Sequence, residues 1–146
     1  MLSDIVMFEK LKLRQELKDM NLVNKYSMKV NKEKHRCGVQ HNISRIISAH
    51  GIHHTNHEYD RAIGNAIKHG GCPVKCKVYI GDNKQMLCVI KDSGKGFDYH
   101  EIIRKMKKGE VYYHYHGAGF RYYHRNHHLK VDWRHHGKEI ILFYNP

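Results

Sequence analysis

Apolar positions recur at helical spacing over residues 4 to about 22, where Ile5, Phe8 and Leu11, with Met7 nearby, share a stripe that Leu13, Leu17 and Met20 continue. Ser3 or Asp4 can cap its start. The stripe suits a docking helix that completes the core, and a dimerisation or partner-binding arm is the alternative. From Lys25 to Val30 the period changes to two, as in a strand. Residues from about 33 to 50 return to a helical pattern with Val39, Ile43, Ile46 and Ile47 apolar, and Gly51 offers the exit. A further helix starts after Thr55 or Asn56 and runs to about His69. It presents Tyr59, Ala62, Ile63, Ala66 and Ile67 to the core, and Gly70, Gly71 and Pro73 stop it.

Two strands, Val74 to Ile80 and Met86 to Ile90, flank the turn sequence Gly81-Asp82-Asn83 and predict a hairpin. A glycine loop, residues 92–96, precedes a short helix expected over 99–106. Residues 107–116 carry no helical stripe and read as a mobile lid, and 119–126 read as another helix. Strands near 129–134 and 139–144 close the series around Gly137. Helices, a hairpin, a helix and a final hairpin predict an α+β fold, a two-layer α/β sandwich with a mostly antiparallel mixed sheet and helices on one face.

Composition narrows the class. A chain of 146 residues fits one domain with a sizeable core. No apolar run approaches the roughly 20 residues of a membrane span, so no membrane partner is expected. Met1-Leu2-Ser3-Asp4 lacks the basic start and apolar core of a signal peptide, so the expected location is cytoplasmic. Cys37, Cys72, Cys76 and Cys88 are then expected as thiols. The spacing of Cys72 and Cys76 suits zinc poorly, although fifteen histidines leave an adventitious metal site open. The formal net charge of +12 and a pI near 9.6 favour acidic partners. Lys and Arg are spread along the chain, with one compact cluster at Arg104, Lys105, Lys107 and Lys108.

Three blocks carry the candidate chemistry. In Asn65-Ala66-Ile67-Lys68-His69-Gly70, helical spacing projects Asn65, Lys68 and His69 from one face. An amide oxygen beside a cation suits Mg²⁺ shared with phosphate oxygens. In Asp92-Ser93-Gly94-Lys95-Gly96 the carboxylate sits at the end of a strand, where it can accept a hydrogen bond from an exocyclic amine. Gly94 and Gly96 allow a close backbone approach. In Gly117-Ala118-Gly119-Phe120 a glycine pair opens an expected helix whose first amides can meet anionic oxygens. Each block alone is an ordinary helix face, strand-end turn or helix start.

In this order and spacing the blocks resemble the histidine kinase-like ATPases, the superfamily of gyrase, the Hsp90 chaperone, histidine kinases and the DNA-repair protein MutL. Among these the chain looks most like the anti-sigma-factor serine/threonine kinases. The resemblance covers roughly residues 25–144 and implies a Bergerat-type ATP-binding domain over 25–146, preceded by a helical extension over 1–24. It implies ATP and Mg²⁺ as cofactors. Asn65 would bind the metal, Asp92 the adenine amine, Gly94 and Gly96 would shape the base pocket, and Gly117 and Gly119 would meet phosphates, with Lys68 near them. The implied partner is a protein, a sigma factor or an anti-sigma antagonist, and a homodimer is open. Residues 1–24 are too short for a phosphoacceptor helix pair, so a histidine-phosphorylating sensor kinase is not the expectation.

The sequence also departs from that pattern. Active members carry a general-base Glu four residues before the Asn, and Arg61 stands there. A guanidinium accepts no proton at neutral pH, so the expected phosphotransfer is weak or absent and no catalytic residue is assigned. Glu58 lies roughly 10 Å along the helix from Asn65, too far to substitute, and Asp60 is expected to point elsewhere. Lys138 follows the turn glycine where relatives have Thr. The aromatic run Tyr112 to Tyr115 suits lid packing over ATP or stacking on bases. The leading expectation is an ATP- and Mg²⁺-binding regulatory domain in signal transduction and transcription regulation. The alternatives are a non-catalytic ATP-dependent protein-binding switch and a basic nucleic-acid-binding module without nucleotide.

Overall fold

In the computed structural model, residues 11–96, 98, 100, 101, 104, 123 and 125–146 are described. The Ile5, Met7 and Phe8 stripe, the lid at 107–116, Gly117 and Gly119 lie outside the described residues, as does most of the helix expected over 119–126. His100, Glu101 and Arg104 are helical, within the short helix expected there.

Alternation builds the sheet. In β2 (Val74–Gly81) Val74, Cys76, Val78 and Ile80 are buried on one face, while Lys75 and Lys77 stay exposed. β2 turns into β3 (Met86–Lys91) through the expected hairpin, which the Gly81 N–H closes on the Gln85 carbonyl at 2.8 Å. β1 (Leu22–Val30) pairs with β2, β4 is Leu129–Arg134 and β5 is Glu139–Tyr144, and the order across the sheet is β1-β2-β3-β5-β4. Every pairing is antiparallel. β1 starts three residues before the expected strand. Its early residues are exposed at the sheet edge, with Leu22 at 43% and Val23 at 55%, so no burial alternation marks them.

Two helices cover one face. α2 (Arg36–Ala49) buries Val39, Ile43 and Ile47 after a 3₁₀ turn at Glu33–His35. α3 (Glu58–Asn65) buries Tyr59, Ala62 and Ile63 and runs on into a π turn, Ala66–Gly70. These side chains form one core with the inward residues of all five strands. Each large apolar side chain so buried contributes about 1.5–3 kcal/mol. The result is the α+β two-layer sandwich that the pattern predicts, with two corrections among the described residues: the sheet is antiparallel throughout rather than mixed, and one short helix packs on its other face. The short α1 (Leu13–Asp19) lies on the far face, where Leu13 and Leu17, with Leu11 and Met20, pack on Tyr79, Leu87, Val89, Ile141 and Phe143. The Leu11 N–H donates to the Asp132 carboxylate at 2.7 Å and ties this segment to β4. β5 is consequently buried on both faces along its whole length.

All four cysteines are free thiols, as expected. Among the described residues no helix is long and apolar enough to cross a membrane.

Candidate functional site

The site forms where three chain segments converge. The first is the junction of α3 with its π turn. A π turn inserts extra backbone into a helix and is frequent at functional positions. Here it closes with the Gly71 N–H on the carbonyls of Ala66 and Ile67 at 2.9 and 3.1 Å. The wider turn splits the face that ideal helical spacing assigns to Asn65, Lys68 and His69. His69 lines a small, half-open cavity, Lys68 lines a broad cleft, and Asn65 lines both.

The second segment is the exit of β3. The Asp92 N–H donates to the Lys138 carbonyl at 2.9 Å, fixing the residue against the start of β5. Its carboxylate accepts the Gly94 N–H at 2.8 Å. A methyl group on Gly70 would overlap the Asp92 carboxylate, and one on Gly94 would lie 2.6 Å from the Gly70 Cα. Gly96 has φ +84° and backs onto the His136 carbonyl so closely that no Cβ fits. Gly70, a mere helix stop in the sequence, is thus a packing requirement of the site. Gly70→Ala is expected to cost about 1–3 kcal/mol through overpacking and to displace the carboxylate, which urea unfolding and ligand titration would both detect.

The third segment is the β4–β5 hairpin. It contributes Trp133, Gly137, Lys138 and Ile140 to the cavity, and Tyr123 enters from the segment before β4. The cavity measures about 80 Å³. One water needs roughly 10–15 Å³ of such space, so it takes a group of several heavy atoms, on the scale of a heterocyclic ring. Its walls are apolar (Ala62, Ala66, Ile90, Trp133 and Ile140), and the Asp92 carboxylate provides an acceptor among them. Burial pushes this carboxyl above the usual aspartate range, against the opposing pull of the Gly94 N–H and the Lys138 charge. Lys138, which stands where the resembled pattern has Thr, thus acts on Asp92 through its charge.

Beyond Asn65 the cavity borders a cleft of about 760 Å³ lined by Arg36, Arg61, Lys68, His57, Glu33 and Asp60. Asp60 shares this cleft with Arg61, contrary to the expectation that it points elsewhere. The two are neighbours on a helix, and the cleft is broad enough to span both positions. Burial raises the Asp60 carboxyl, and His57 and Arg36 oppose that shift. Arg36 crosses over Gly64, where a Cβ would lie 2.5 Å from a guanidinium nitrogen, and it donates to the Asp60 carbonyl at 3.4 Å. The Asn65 side chain is hydrogen-bonded to the Tyr123 hydroxyl, and burial raises that phenol while Asn65 and Arg61 lower it.

Glu58 is withdrawn from chemistry altogether. It is fully buried, and its carboxylate accepts from the Asn56 N–H, the Thr55 and Tyr144 hydroxyls and the Asn126 amide at 2.9–3.3 Å. Tyr123, Trp133 and Arg36 escaped sequence reasoning as site residues. An aromatic on a strand or a cation on a helix carries no local signal of the cavity it will face.

Among the described residues, no group of three or more His, Cys, Asp or Glu side chains could hold a metal ion. Comparison with family models, curated proteins and solved structures gives no match to this chain.

Proposed function

We propose that this chain is an ATP-binding regulatory domain that acts by binding rather than by turnover. The observation that carries the reading is Asp92, a half-buried carboxylate set among apolar walls at a cavity of ring size. Such a slot suits a flat heterocycle with an exocyclic amine. Asn65 leads from it into a cleft that bears Arg36, Arg61 and Lys68, which suits a polyphosphate tail. Base slot and basic cleft therefore adjoin in the order a nucleoside triphosphate requires. The likeness of the three sequence blocks to the anti-sigma-factor kinases supports the same ligand and makes a regulatory protein the proposed partner. Arg61 in place of the general base favours a switch over a kinase, because it attracts phosphate without taking a proton.

The test is thermal unfolding with and without ATP in magnesium-containing buffer. Ligand at 100 times its Kd stabilises by about 2.7 kcal/mol, and the wild-type Tm rises accordingly. Asp92→Asn keeps an acceptor for the Gly94 N–H but loses the charge. Hydrogen bonds to charged groups are worth about 1.5–3 kcal/mol, so ATP binds this variant roughly ten- to a hundredfold more weakly. Its ligand-free Tm does not fall, because burial of a charged carboxylate is relieved. The sign of the pH effect follows from the raised carboxyl: the ionised form accepts the amine, so affinity drops as pH falls through a range above that of an ordinary aspartate. A wild-type Tm indifferent to saturating ATP, or an Asp92→Asn protein that binds as well as wild type, refutes the reading.

A further inference from the structure

The resemblance implies Mg²⁺ on Asn65, yet the surroundings of Asn65 do not suit a divalent cation. Its amide donates to the Tyr123 hydroxyl, which leaves the charges around the amide oxygen to decide. The cleft it opens into is lined by the always-charged Arg36 and Arg61 and by Lys68. Of the two carboxylates there, Asp60 is raised by burial and has a buried oxygen without a hydrogen-bond partner, and Glu33 is exposed. A dication placed beside Asn65 would meet more positive than negative charge. A polyphosphate would be attracted by the same excess.

Building on the ATP reading above, we infer that Arg36, Arg61 and Lys68 form a polyphosphate subsite that replaces the metal, so that the nucleotide binds without a divalent cation. Geometry supports this in three ways. The cleft volume of about 760 Å³ falls within the roughly 300–1,000 Å³ of ordinary ligand sites. Gly64 leaves room for the Arg36 guanidinium against α3, where a Cβ would lie 2.5 Å from one of its nitrogens and push it aside. Arg61 and Lys68 are two turns apart on the continuous α3 and π segment and line the same cleft. Their charges therefore flank Asn65, about one turn to either side of it. Planar guanidinium groups bind phosphate oxygens through paired N–H donors, which a hydrated metal need not mediate.

The experiment is isothermal titration of the full chain with ATP, in excess EDTA and again in excess MgCl₂. The expected result is binding in both, with Kd values within about threefold of each other. Arg61→Gln and Arg61→Glu should weaken binding in EDTA, the charge reversal by more than about tenfold. Arg61 is exposed, and circular dichroism would verify that both variants fold. Sodium tripolyphosphate, which lacks a base, should compete with ATP on the wild type in EDTA and compete less well on Arg61→Glu. Binding that requires Mg²⁺ overturns the inference while leaving the ATP reading intact. An Arg61→Glu protein that binds like wild type in EDTA overturns it as well. Absence of binding in both buffers sinks the inference and the ATP reading together.

Discussion

Glu58→Ala should lower unfolding stability by about 3–5 kcal/mol, in the range reserved for loss of a buried polar network. Truncation leaves the buried Tyr144 hydroxyl and Asn126 amide facing a void where they had a carboxylate to meet, and also removes the acceptor of the Asn56 N–H, on an exposed residue. The Asn126 amide retains its bond to the His54 carbonyl at 2.9 Å and the Tyr144 hydroxyl its contact with Thr55, so the loss is partial at both. Glu58→Gln separates charge from shape. Its amide oxygen can keep the three donors now on Oε1, while its amide nitrogen would confront the Asn126 amide on the other side. A cost of about 1–3 kcal/mol is expected for that one mismatch. Urea unfolding of both variants measures the order, and a Glu58→Ala protein within about 1 kcal/mol of wild type would show that the network contributes little.

Trp133→Ala should cost a similar amount, about 3–5 kcal/mol, as other large aromatic truncations do. Trp133 is 5% exposed, pairs across the ladder with Ile140 and lies 6.4 Å from the Tyr123 ring, centroid to centroid. Removing it opens the cavity wall toward β4 and takes away the support of Tyr123, which holds Asn65. The ATP-dependent Tm rise should therefore vanish together with the stability. Trp133→Phe keeps a ring and should retain most of both. The wild-type chain has only this one tryptophan, so its emission should change when a ligand enters the cavity. An emission spectrum unchanged by a ligand that binds would place that ligand elsewhere.

Much of this was legible from the sequence, and the reasons are local. α2 and α3 announce themselves because Val39, Ile43 and Ile47, then Tyr59, Ala62 and Ile63, repeat at helical spacing against one partner face. The β2–β3 hairpin is legible because turn residues follow an alternating run. Asp92 and Gly96 do reach one cavity, and Asn65 and Lys68 reach the adjoining cleft, as their blocks suggest. What stayed hidden depends on tertiary position. The start of β1 is exposed at the sheet edge and shows no period. The π turn has the same apolar spacing as the helix it extends, so the split of His69 from Lys68 cannot be read. Glu58 looks like any acid at a helix start until Tyr144 and Asn126 close over it. Nothing in the pattern of α1 says which face of the sheet it will choose.

The place of β5 has a consequence for how the chain is made. β5 is the bridge between β3 and β4, yet it emerges from the ribosome after both. Until it arrives, the β2–β3 hairpin has one long edge unpaired, and Leu87 and Val89 have no Ile141 and Phe143 beside them. The nascent protein must therefore carry an adhesive, half-built sheet while residues 92–144 are made. Ribosomes stalled just before β5 should hold a species that binds holdase chaperones, and that binding should be lost once Glu139–Tyr144 is added and the chain is released.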